Sequence, residues 1–173
     1  MSVLHRVLRL WDCVSPARVA YAHCDIPCGI YDPHHAQIAA HTVIRMIDLI
    51  DQIAKPGASA GPKDWDAYAS KVARHTTVKE QHAELAKHEV RILWGDYFKP
   101  EHAQAHPELH EAVWKVMKVG SKGKQEMDRK QAESLLEAVN AIAEIFWRTK
   151  NVPTVRAKPP YNTNAETVVP TFA

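Results

Sequence analysis

The sequence predicts an all-α protein, an antiparallel four-helix bundle with a short chemical segment ahead of its first helix. Three observations carry that prediction. Apolar residues recur at helical spacing in four separate stretches. Each stretch is bounded by residues that start or stop helices. No convincing series of strands and no internal repeat appears anywhere in the chain. The chain has 173 residues, 46% of them hydrophobic and 24% charged, which suits one soluble globular domain with its own core.

The first helix is expected to begin at Asp32-Pro33, a capping residue followed by proline at the first helical position. Ile38, Val43, Ile44, Ile47, Ile50 and Ala54 form its apolar stripe, and Lys55-Pro56-Gly57 stops it. After a proline- and glycine-bearing linker, a long second helix is expected from about Asp64 to Tyr97, with Tyr68, Val72, His75, Leu85, Ile92 and Leu93 near helical spacing. A third is expected from Pro107 to Val119, with Leu109, Val113, Val116 and Met117 inward and Gly120 and Gly123 ending it. The fourth starts near Asp128. Ala132, Leu135, Leu136, Val139, Ile142, Ala143 and Phe146 make it the clearest amphipathic pattern in the chain. Residues 33–150 are therefore read as the bundle. Residues 151–173, with four prolines, are read as an extended tail, loose or draped on a neighbouring subunit.

Charge narrows the function. The net charge is +2, and the stretch 1–22 carries all of it through Arg6, Arg9 and Arg18 against Asp12. The remainder balances, so nucleic acid is not an expected partner. No apolar run approaches the length of a membrane span, so no membrane partner is expected either. Residues 1–22 read as a prosequence cleaved before His23, because Ala20-Tyr21-Ala22 places small residues at alternate positions and Arg9 interrupts any secretory core. A maturation protease and a cytoplasmic location are the matching expectations. Cleavage would leave two of the three cysteines, Cys24 and Cys28. Two cysteines in a chain of this length point to metal or redox chemistry rather than a disulfide scaffold.

The segment His23-Cys24-Asp25-Ile26-Pro27-Cys28-Gly29 carries that chemistry. A freed His23 amine and the Cys24 backbone nitrogen close a five-membered chelate ring. The Cys24 nitrogen and its own sulfur close another. Cys28 returns a second thiolate, since Pro27 and Gly29 let the chain turn sharply. The His23 imidazole can reach an axial position. A planar set of two nitrogens and two sulfurs suits Ni(II) or Cu(II), whereas tetrahedral zinc gains nothing from a deprotonated amide. Anionic donors also favour the higher oxidation state. Binding must expel protons from both thiols and the amide, so it weakens as pH falls.

The run from His23 to Pro33 resembles the metal-binding hook of nickel superoxide dismutases. The similarity continues in Glu84-Leu85-Ala86-Lys87-His88, in Leu93 through Pro100, in Pro107-Glu108-Leu109-His110 and in Ile145-Phe146-Trp147. The resemblance implies a precursor whose proteolysis exposes His23. It implies His23, Cys24 and Cys28 as ligands of one nickel ion per subunit, with Tyr31 bordering the substrate approach. Asp25 would lie in the same loop, and the bond before Pro27 would be cis. It also implies Ni(III)/Ni(II) cycling on superoxide and assembly of bundles into a homohexamer. Two positions depart from the family pattern: Ala39 and His82 stand where a glutamate and an arginine border the axial imidazole. His41, His82 and Glu84 are the candidates to replace them, since an imidazole ligand needs an outer partner.

Two readings compete with an enzyme: a non-catalytic nickel or copper carrier on the same bundle, and a helical interaction module with incidental thiols. His34 and His35 read as solvent or interface histidines. The cluster Asp96-Tyr97-Phe98 reads as packing or subunit contact, and Trp65, Trp94, Trp114 and Trp147 as core or interface.

Overall fold

The computed structural model describes Trp11 and residues 29–172. Five helices follow one another among residues 29–172: α1 (His34–Asp51), α2 (Pro62–Ile92), α3 (Pro100–Ala105), α4 (Leu109–Gln125) and α5 (Arg129–Thr149). A wide π-type turn, Leu93–Tyr97, prolongs α2, and two short strands close the chain, β1 (Thr154–Ala157) and β2 (Thr167–Pro170). The four long helices pack in a ring, α1 on α2 and α5, and α4 on α2 and α5. Cross-contacts give their directions. Asp48 meets Arg129 while Gln37 meets Asn140, so α1 and α5 run antiparallel. Lys79 meets Lys124 while Trp94 meets His110, so α2 and α4 do too.

Local chemistry explains the helix ends. The Asp32 carboxylate accepts the His34 N–H at 2.7 Å, so α1 starts just after the expected Asp32-Pro33 pair. It ends at Asp51, before the expected stop at Lys55. Proline opens α2, and the Asp64 carboxylate accepts the Gly61 N–H. Asp128 caps α5 through the Lys130 N–H, as its sequence predicts. The fourth-helix stripe is also found as expected, with all seven of its predicted inward residues buried.

The second and third helices depart from expectation. Ile92 and Leu93 are buried as expected, but Leu85 is exposed, and the rest of the inward face of α2 is Lys79, Ala83, Ala86 and Val90. That set keeps the three- and four-residue spacing, with two small side chains, Ala83 and Ala86, at its middle. Ile38 of α1 is likewise exposed, and the small residues Ala36, Ala39 and Ala40 are buried in its place. Gly120 and Gly123 do not end the third helix. Both lie inside α4 and are buried. A Cβ on Gly120 would sit 2.8 Å from Cγ of Lys87, so this glycine is where α4 presses on α2. The ammonium of Lys87 is held in turn by Glu84 and Ser121. Buried Lys79 closes the far end of α4 by donating to the carbonyls of Lys124 and Glu126 at 2.9 and 2.8 Å.

The tail departs furthest, because it contains strands and lies on its own bundle. β1 and β2 pair antiparallel, Val155 opposite Val169. Thr163, Thr167 and Val168 are buried against the seam between α1 and α5. Among the described residues no helix is long and apolar enough to cross a membrane.

Candidate metal centre

His23, Cys24, Asp25, Pro27 and Cys28 lie outside the described residues, and so does the bond before Pro27. The described chain begins where the segment leaves toward α1. Gly29 has φ +92°, a left-handed conformation that glycine adopts at no steric cost. Two residues on, Tyr31 is half-buried against the end of α2, its ring centroid 5.5 Å from that of Tyr97.

Tyr97 is held on every side. Its hydroxyl lies 2.6 Å from Oγ1 of Thr149. Thr149 spends its own proton on the carbonyl of Phe146, so Tyr97 is the donor. Phe146 supports its ring at 4.6 Å between centroids, and His102 stacks on it at 5.5 Å. The Lys150 ammonium lies 4.9 Å from its centroid, within cation–π range. The wide turn sets this arrangement: Phe98 donates to the carbonyl of Leu93, one residue further back than in an α-helix. The sequence reads Asp96-Tyr97-Phe98 as packing or subunit contact. The aromatic run itself was the signal, but only the fold sets Tyr97 beside Tyr31.

The three outer-partner candidates are dispersed. His41 is buried on α1. Its Nδ1 lies 2.9 Å from Oγ1 of Thr163 and its Nε2 2.6 Å from Oγ1 of Thr167, with the Tyr161 ring edge-on beside it. Both nitrogens are engaged by the tail, so as placed His41 has none to offer another imidazole. Glu84 is claimed by three cations, Arg91 at 2.8 Å, Lys124 at 3.2 Å and Lys87 at 3.3 Å. Hydrogen bonding from Arg91, above all, holds its carboxyl at about 2. His82 is half-buried, and its Nδ1 bonds the carbonyl of Val78 at 2.9 Å. His34 and His35 are exposed on the first turn of α1. Among the described residues no group of three or more histidine, cysteine or acidic side chains could hold a metal ion.

Burial, with a smaller contribution from nearby His34, lowers the pKa of His41 to about 4 from 6.5. The folded protein therefore binds fewer protons than the unfolded chain between those values. Stability is full above pH 6.5 and falls as pH drops toward 4, with a slope of up to about 1.4 kcal/mol per pH unit. His41→Val should flatten that part of the stability profile measured by urea unfolding. An unchanged slope would show that His41 titrates normally.

The chain is similar to known proteins along most of its length. The family model described as nickel-containing superoxide dismutase matches residues 18–150. A superoxide dismutase [Ni] from Streptomyces coelicolor is 40% identical over 136 residues, which are 79% of this chain and 94% of that protein. The corresponding protein of Streptomyces seoulensis is 40% identical over 129 residues, 75% of this chain and 88% of its own. A native nickel superoxide dismutase structure overlays with a TM-score of 0.63 at 39% identity, covering 74% of this chain and 99% of that one.

Proposed function

The chain belongs to the nickel-containing superoxide dismutases, and from that premise we propose that His23, Cys24 and Cys28 are the residues that hold its metal. It disproportionates superoxide to dioxygen and hydrogen peroxide with one nickel ion per subunit, and the carrier reading is not favoured. The donor set fits nickel. Two thiolates, an amine and a backbone amide nitrogen are strong-field, anionic-rich donors suited to a planar ion. The observation that carries the assignment is their clustering within six residues of one another, immediately ahead of a helix whose entry is anchored at Tyr31.

When bound, nickel supplies the one-electron couple that the dismutation needs. The chain supplies the rest. Cys24 and Cys28 must shed their thiol protons and Cys24 its amide proton. The amine and imidazole of His23 become available only once the bond before it is cut. Tyr31 borders the approach of superoxide, and Tyr97, its hydroxyl committed to Thr149, keeps that ring in place. Asp25 and Pro27 shape the same loop. Among the outer-partner candidates, Nε2 of His82 has no partner among the described residues, which favours His82 over His41 and Glu84.

Maturation by a protease that cuts after Ala22, assembly as a homohexamer and a cytoplasmic location complete this reading. Exposed Trp65, Trp94 and Trp114 support association between copies. The deciding experiment compares the whole chain with one that begins at His23. The shorter form should bind one nickel and dismutate superoxide. The leader-bearing form, with an amide in place of the amine, should do neither. Equal turnover by the leader-bearing form would overturn the ligand assignment.

A further inference from the structure

The family match ends at residue 150, and the chain continues through a folded tail. We propose that residues 151–172 are a strap that positions the metal-binding segment, acting on the first turn of α1 and on Tyr31. The inference rests on the ligand assignment above.

Two connections run from the tail to that end of the bundle. The first is polar. Gln37, one turn into α1, is buried and gives both amide hydrogens away, to Oδ1 of Asn140 at 3.0 Å and to the Val168 carbonyl at 2.8 Å. Asn140 on α5 grips the same strand from the other side. Its Oδ1 accepts the Val168 N–H at 3.2 Å, and its Nδ2 donates to the Glu166 carbonyl at 2.9 Å. Strand β2 therefore ties α1 to α5 a few residues downstream of the metal-binding segment. Without the tail, three of the four hydrogen bonds of Gln37 and Asn140 would be unmade, and α1 would lose the tether at its first turn.

The second connection is aromatic. Phe172 packs edge-on against Trp147 at 5.8 Å between centroids, and Trp147 against Phe146 at 4.9 Å. Phe146 meets Tyr97 at 4.6 Å, and Tyr97 meets Tyr31 at 5.5 Å. The last aromatic residue of the tail is thus the outer member of the stack that ends on Tyr31. Phe146 and Trp147, the buried middle of the stack, have little room to shift independently, and Phe172, itself 71% exposed, covers the outer edge of Trp147.

The test uses the chain from His23, loaded with nickel. Ending it after Lys150 should speed nickel loss to a chelator about tenfold, the scale of one or two lost buried hydrogen bonds. It should also broaden the electron paramagnetic resonance signal of the oxidised metal. Gln37→Met and Phe172→Ala in the full-length mature chain should each reproduce part of both changes. Arg156→Ala should have the smaller effect on both, because among the described residues Arg156 ties the tail to Glu137 and Glu144 of α5 and touches neither α1 nor Tyr31. If the truncated chain unfolds, the two point variants decide. A lower melting temperature with unaltered nickel release and spectrum would make the tail a stabiliser only and overturn the strap. Failure of the full mature chain to bind nickel would overturn the ligand assignment, and the strap with it.

Discussion

Cys24→Ser or Cys28→Ser should abolish dismutase activity and nickel binding together while leaving the bundle folded. A serine hydroxyl keeps its proton at neutral pH and is a hard donor. It replaces neither the negative charge nor the softness of a thiolate. Losing an outer-shell partner of a metal typically costs ~10–100-fold in affinity or activity, and losing one of these ligands should cost more. The core of the bundle is built from other residues, among them Val43, Ile44, Leu135 and Phe146, so thermal unfolding of the metal-free form should not change. Metal analysis, superoxide turnover and a melting curve on each variant check the three parts. A serine variant retaining full nickel-dependent turnover would refute the assignment.

The largest effect on stability is expected at Phe146. Its ring is fully buried and touches Tyr97 and Trp147, with the Lys150 ammonium 5.1 Å from its centroid. Phe146→Ala removes that ring where α5 meets the π-type turn and leaves a cavity there. The expected loss is about 3–5 kcal/mol, which for a chain of this size lowers the melting temperature by roughly 10 °C. Phe146→Leu, which keeps most of the volume, should cost about 1–2 kcal/mol. Because Phe146 backs the tyrosine pair, both variants should also lower turnover, alanine more than leucine. A melting temperature for Phe146→Ala within about 2 °C of the parent would show that the stack does not hold this end of the bundle.

The fourth helix was legible in the sequence, and the donor cluster could be proposed from it, for the same reason: each is a short-range pattern. The α5 stripe repeats every three or four residues from Ala132 to Phe146 with no interruption, so one face was unambiguous. The donors lie within six residues, close enough for chelate rings to be argued from bond counting alone. Gly120 and Gly123 misled because glycine near a helix end usually marks a stop. Here the approach of Lys87 from a neighbouring helix is what requires it. Leu85 and Ile38 misled because alanines share the inward faces with the larger apolar residues there: Ala83 and Ala86 are buried beside Leu85, and Ala36, Ala39 and Ala40 beside Ile38.

By itself the sequence determined the helical class and the positions of most helix starts, and it supplied the proposal for the metal-binding donors. Those depend on interactions between residues a few positions apart. Tertiary structure alone decided the phase of α2, the employment of His41 and Glu84, the meeting of Tyr31 with Tyr97, and the docking of the tail. Gln37 finds its partners 103 and 131 residues away. No local pattern specifies such a pairing; it exists only once the helices have packed and the groups left at their seam must be satisfied.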